Sequence, residues 1–252
     1  MIVIGAVVIL GGILSAALST AAAASVHTST RTVAVEGVTQ LDVDAAAGSL
    51  RVEFTDVSEA ELEVTSSWGA DRWTLDRQDD RLVVSSPDRF GPWVFDGWFA
   101  RGPGDAVLRL PSALEGADAD IALAAGDLRV EGAFGDLDLE LGAGRAEIEG
   151  SADTVTVDVS AGRADLDLED VSNATLSVSA GALNAVFSGS QPDAIGVDVS
   201  AGSMELTVPE GDYDVTSDVS AGGFDNRIGS SPAASSTIDV QVSAGQVLLR
   251  AE

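Results

Sequence analysis

Carboxylates are the one potentially catalytic group that this chain holds in number: 41 Asp and Glu stand beside 13 basic residues, a single histidine and no cysteine. Two acids on either side of a glycosidic bond can hydrolyse it, one as general acid and the other as base or nucleophile. In so acidic a chain such pairs also arise by chance, and no basic or metal-lined cluster accompanies them. His27 is the only histidine, so a histidine-rich metal site is excluded and a Ser-His-Asp triad would depend on one residue near the start of the chain. The lack of cysteine removes thiol catalysis, thiolate metal sites and disulfides. No constellation names a reaction or a cofactor, and the expectation is a protein that is not an enzyme.

The elements that would position these groups follow from a repeat. Ala-Gly recurs at Gly48, Gly126, Gly144, Gly162, Gly181, Gly202, Gly222 and Gly245, and after the first gap the spacings are 18, 18, 19, 21, 20 and 23. Each copy alternates apolar and polar residues with period two, the pattern of a strand with one buried face. Val155, Val157 and Val159 precede Gly162, whereas Ala164, Leu166 and Leu168 follow it. The switch from odd to even positions places a corner at the glycine, where close backbone approach or a positive φ is needed. The neighbouring Ala161 is small enough to turn inward there. Each unit therefore reads as strand, Ala-Gly corner, strand, loop. Pro192, Pro209 and Pro232 fall between units, where a missing N–H costs no ladder bond.

One such unit cannot bury its apolar face, but stacked units can, with neighbours about 4.8 Å apart. The predicted fold class is all-β: a single-stack β-solenoid with about 18–23 residues per coil. The inward column two positions after each glycine runs Leu50, Leu128, Ala146, Ala164, Leu183, Met204, Phe224 and Val247. Asn226 interrupts the next column, which marks its coil as bent or locally open. The regular repeat occupies 118–252; a less regular β part, 33–117, precedes it and carries an aromatic insert at 90–100.

In a sequential stack Glu140 would lie over Asp158, and Asp198 over Asp218. Carboxylates about 5 Å apart repel by roughly 1 kcal/mol in water, and a bound Ca²⁺ would reverse that sign. Ca²⁺ requires six to eight oxygens in a looped cage. The expectation is therefore screening by salt, with no metal site. Ser160, Ser179, Ser200, Ser220 and Ser243 form an outward stripe, either simple paving or a surface for sugar hydroxyls. Phe90, Trp93, Phe95, Trp98 and Phe99 could cap the first coil or form a patch for a partner or a membrane interface; a cap is the favoured reading.

Residues 1–24 carry no charge, and a helix of about 20 apolar residues crosses a bilayer. A transmembrane helix is expected there, followed by a juxtamembrane linker at 25–32. Its length favours an uncleaved anchor, while Ala22-Ala23-Ala24 also fits a signal-peptide cleavage site. Either reading places the acidic domain outside the cytoplasm; the anchor makes it a single-pass protein of the cell membrane. A net charge of -28 repels nucleic-acid phosphates, so nucleic acid is not an expected partner.

The strands LDVDAAAGSLRV (41–52), DRLVV (80–84) and VLRLP (107–111), followed by the Ala-Gly coils, resemble a bacterial "putative-adhesin" family of β-strand-repeat envelope domains. The resemblance covers about residues 33–252. It implies a β-solenoid and an envelope location, and no established biochemical role. The combined expectation is a non-enzymatic, membrane-anchored binding or scaffold domain of the cell envelope, with a glycan or envelope protein as partner. A self-assembling solenoid that polymerises end to end, hence a homo-oligomer, is the alternative. The last strand, which runs to Glu252 with no cap after it, keeps that alternative open. A carboxylate-dependent polysaccharide-active enzyme stands third.

Overall fold

The computed structural model describes residues 27–66, 70–86 and 104–252. Period-two alternation becomes strand throughout the described residues, whose fourteen strands all join one sheet. Coil 1 consists of β2 (Gln40–Ala45) and β3 (Gly48–Thr55). β8 (Asp118–Glu169) runs through coils 2 to 4 without a break. Coil 5 is β9 (Asn173–Val178) and β10 (Ala182–Ser188), and coil 6 is β11 (Ala194–Val199) and β12 (Ser203–Val208). Coil 7 is β13 (Tyr213–Asn226) and coil 8 is β14 (Ser236–Ala251). Coils pair in parallel, so like positions stack: Leu183 lies beside Ala164 on one side and Met204 on the other. The inward residues join a single apolar core in which Val52, Val130, Ile148, Ala185 and Leu249 are fully buried.

The expected fold is corrected in three respects. First, the pairings establish a sheet folded at the Ala-Gly corners, with one ladder before the glycine and one after; they do not establish a closed solenoid. Second, the coils do not stack in sequence order. β14 pairs with β11 and β12 on one side and with β13 on the other, so coil 8 lies between coils 6 and 7. Arg250 of β14 secures the insertion, pairing with Glu205 at 2.8 Å and donating to the Thr207 hydroxyl. The final strand is thus interior, and coil 7 forms the outer edge. The physical reason lies in the inward columns. Ile238, Val240, Val242, Val247 and Leu249 of coil 8 are all apolar and need neighbours on both sides. Coil 7 places Ser217 and Asn226 at the matching positions, which is tolerable only where one side faces water.

Third, no helix among the described residues is long and apolar enough to cross a membrane. The only helical turns described are the 3-10 segments Ala70–Arg72 and Ser112–Leu114. The described chain alternates apolar with polar residues and so supplies strands, not an unbroken apolar run. The expected transmembrane helix, and with it the single-pass cell-membrane localisation, is therefore not supported. Residues 1–24, to which that expectation referred, lie outside the described residues.

At the other end, coil 1 is followed outward by β6 (Arg81–Ser85) on β2 and β7 (Asp105–Pro111) on β3, both parallel. The pairing then turns antiparallel: β5 (Thr74–Gln78) on β6, β4 (Ala60–Ser66) on β7, and β1 (His27–Val33) on β4. Arg109 of β7 ties this end together, meeting Glu61 at 3.0 Å, Glu63 at 3.1 Å and Glu53 at 3.2 Å. The acids raise the guanidinium pKa above its ordinary value, with the Glu63 hydrogen bond the largest cause.

The corner glycines form one column. A Cβ on Gly162 would lie 2.6 Å from the carbonyl oxygen of Gly144, and one on Gly181 2.5 Å from that of Gly162. Gly48, Gly126, Gly144 and Gly222 also hold φ between 110° and 131°, a region L side chains rarely enter. Ala161 does not turn inward as expected. It is exposed, as are Ala125, Ala143, Ala180, Ala201 and Ala244, because the backbone ladder continues through the corner and leaves no interior space there.

Candidate binding surface

Outward positions of the coils carry the groups that could meet a partner. Ser160, Ser179, Ser200, Ser220 and Ser243 are all exposed. The 18-residue offset that seats Gly162 on Gly144 sets Glu140 beside Asp158. Asp198 and Asp218 are not adjacent, because the inserted coil places Gln241 between them. Among the described residues no group of three or more His, Cys, Asp or Glu side chains could hold a metal ion. His27 lies on the peripheral strand β1. Phe90, Trp93, Phe95, Trp98 and Phe99 lie outside the described residues.

The acidic face has an electrostatic consequence at one position. Asp138 is held above the ordinary carboxylate range, first by desolvation and then by Asp120 and Asp158. A carboxyl that binds its proton more readily folded than unfolded opposes folding when ionised. That cost is present at neutral pH and fades as pH falls through the raised value. Asp138→Asn is therefore expected to stabilise the fold at neutral pH by about 0.5 kcal/mol, the scale of an exposed like-charge contact, and to lose the gain in acid. Paired urea melts at the two pH values provide the check; a lower midpoint for the variant at neutral pH would refute it.

A shallow groove of about 540 Å³ crosses the second ladder. It was not anticipated from the sequence, although its signal is there. The residue one position after the corner glycine is small in three coils, Ala182, Ser203 and Gly223, while Asn184, Glu205 and Asp225 stand two positions further on. The small residues lower the floor and the longer ones form a wall. Arg163 bounds one end, and Gln246 contributes an amide from the inserted coil. Glu205 is held by Arg250, and Asp225 by Arg227 at 2.9 Å. The groove thus offers amide and hydroxyl groups with its acids already paired. A second depression of about 400 Å³ has Gly132 and Gly150 in its lining with Glu149, Asp167 and Glu169. Glu149 is paired to Arg129 at 3.1 Å, which leaves two of the three acids as candidates for acid chemistry.

The edge of coil 7 is the other exposed feature. β13 pairs with β14 alone among the described strands. Its start is pinned by Tyr213, whose hydroxyl donates to the Pro209 carbonyl at 3.0 Å and whose pKa burial pushes up to about 12. The connection to β14 folds back over the first residues: Ser231 N–H donates to the Tyr213 carbonyl, and the Ser230 hydroxyl accepts from Val215 N–H. From Thr216 to Gly222 every residue of the edge is exposed.

No protein-family model and no curated protein matches this sequence. Among solved structures, a "putative adhesin" from Bacteroides fragilis superposes with a TM-score of 0.50 at 12% identity, covering 90% of this chain and 97% of that one. A "putative cell adhesion protein" from Clostridium sporogenes aligns with a TM-score of 0.42 at 12% identity, over 90% of this chain and 100% of the other. The fold of the chain is that of the Bacteroides fragilis protein, and the family resemblance carried by the strand motifs and Ala-Gly coils agrees with it.

Proposed function

We propose that the chain is a non-enzymatic, adhesin-like binding or scaffold domain that holds an extended polar partner, a glycan in the first instance, on the outer face of its second ladder. The observation that carries this reading is the groove across five coils, open along its length and lined by Asn184, Ser203 and Gln246. Such a surface suits a chain of hydroxyls better than a compact substrate that must be enclosed. The fold shared with an adhesin-like protein supports the same reading without identifying a ligand.

The test is a glycan array probed with the whole chain, followed by titration of any hit against Asn184→Ala/Gln246→Ala. Loss of two buried-on-binding amide contacts is expected to weaken affinity by about tenfold or more. Unchanged affinity in the double variant would remove the groove from the proposal. Release of new reducing ends from a bound glycan would replace binding with carboxylate-dependent hydrolysis, with Asp167 and Glu169 as the first residues to examine. Self-assembly is the second reading, favoured by the uncovered coil 7 edge; scattering mass that grows with concentration is its signature.

A further inference from the structure

We propose that the free edge of coil 7 is a docking strand for an extended segment of a partner protein in which apolar and basic residues alternate. The proposal rests on reading the chain as a binding module but concerns the part of β13 before its corner, whereas the glycan groove meets β13 only at Gly223, Phe224 and Asp225.

β13 is 14 residues long, and its outer side has no strand partner among the described residues. Such an edge presents a row of N–H and C=O groups ready to accept another strand, and proteins usually block it with Lys, Pro, a bulge or a cover. β13 contains neither Lys nor Pro. The hydrogen bonds of the covering connection go to Tyr213 and Val215, Ile228 packs against the core, and residues 216–222 are all exposed. Tyr213 and Val215 direct their outward backbone groups at Ser230 and Ser231. By the two-residue repeat of a strand, Ser217 and Val219 direct the next outward groups away from β14.

Two features select the occupant. The only charges on β13 are Asp214, Asp218 and Asp225, and Arg227 just beyond it is engaged by Asp225. With Asp225 paired, Asp214 and Asp218 remain: two copies of this edge would set acid against acid, on a chain of net charge -28, so the charges oppose self-pairing while drawing a basic strand. Val219 is 39% exposed and is the only large hydrophobic side chain exposed among the described residues. Phe224 and Val215 are half-buried along the same open end. A strand laid on β13 would gain backbone hydrogen bonds, cover Val219 with its alternate apolar residues and set its basic residues against the acids.

The test is fluorescence polarisation of the whole chain with a labelled peptide alternating valine and arginine. The same peptide carrying glutamate in place of arginine, and one interrupted by proline, serve as comparisons. Ser217→Pro removes the outward-facing donor without taking a bond from the β13–β14 ladder, and Val219→Thr removes apolar cover while keeping a strand former; melts identify which variant retains the fold. The valine–arginine peptide is expected to bind, and to lose at least about tenfold with either variant and with the proline-broken peptide. Equal binding to the variants, or no binding to the unaltered chain, would overturn the proposal. Growth of the unaltered chain into dimers or polymers without peptide would overturn it in favour of a second copy as the occupant. Asn184→Ala/Gln246→Ala should leave peptide binding intact, so failure at the edge and failure at the groove are read separately.

Discussion

Gly144→Ala is expected to cost about 2–5 kcal/mol of stability, from two sources that add at that position. A Cβ there would overlap the carbonyl oxygen of Gly126 on the neighbouring coil, and the backbone sits at φ 117°, where L side chains are strained. Gly162 separates the two sources: its Cβ would also approach a carbonyl, at 2.6 Å, but its φ is not in the strained region. Gly162→Ala should therefore cost about 1–3 kcal/mol, the usual range for overpacking. A Cβ on Gly223 would meet nothing within 4 Å, and its φ is not positive, so Gly223→Ala should change stability by no more than about 0.5 kcal/mol. Denaturant melts of the three variants should rank in that order. A Gly144→Ala midpoint equal to that of Gly223→Ala would show that the coils can separate at the corner at no cost.

Trp73→Ala should be comparably damaging, at about 3–5 kcal/mol, the range for truncating a large core aromatic. Trp73 lies between the Ala70–Arg72 turn and β5, is 5% exposed, and belongs to the single apolar core. It immediately precedes β5 at the antiparallel end of the stack, where the sequence predicts a closing residue from the 90–100 segment instead. Tryptophan fluorescence during urea unfolding, compared between the variant and the unaltered chain, gives the measurement. A variant that melts within about 0.5 kcal/mol of its parent would mean that this end frays independently of the coils.

The repeat, the corners and the inward columns are legible because each is local. Alternation fixes which side chains turn in, and the parity change at Gly162 fixes where the chain bends. The columns from Leu50 and Val52 to Val247 and Leu249 are buried as expected, except at Phe224 and Asn226 of coil 7. The order of the last two coils is not legible in the same way. Coils 7 and 8 share the Val-Ser-Ala-Gly corner, and local pattern cannot say which of two similar strands lies on coil 6. The deciding signal is present in Ser217 and Asn226, whose polarity marks an end rather than a middle. Along the strand alone, Asn226 signifies no more than a local bend, and a stack kept in sequence order then sets Asp198 against Asp218. The groove is hidden for another reason: it depends on side-chain size compared across coils, and comparison along the strand reveals only burial.

The insertion of β14 between β12 and β13 bears on how this end of the molecule can be made. A repeat stack in sequence order can grow like a zipper, each new coil finding the edge left by the one before. Coils 1 to 6 satisfy that rule. Coil 7 is synthesised before coil 8, yet every ladder bond it makes to another strand is to coil 8. While coil 8 is still inside the ribosome, coil 7 has no native neighbour, and the exposed edge of coil 6 offers it a related but incorrect register. Completion at this end therefore requires either that coil 7 wait or that a premature pairing open before coil 8 enters. From this pairing order, coils 7 and 8 are expected to form together as a two-strand unit, with the apolar edge of coil 6 closed only when coil 8 enters.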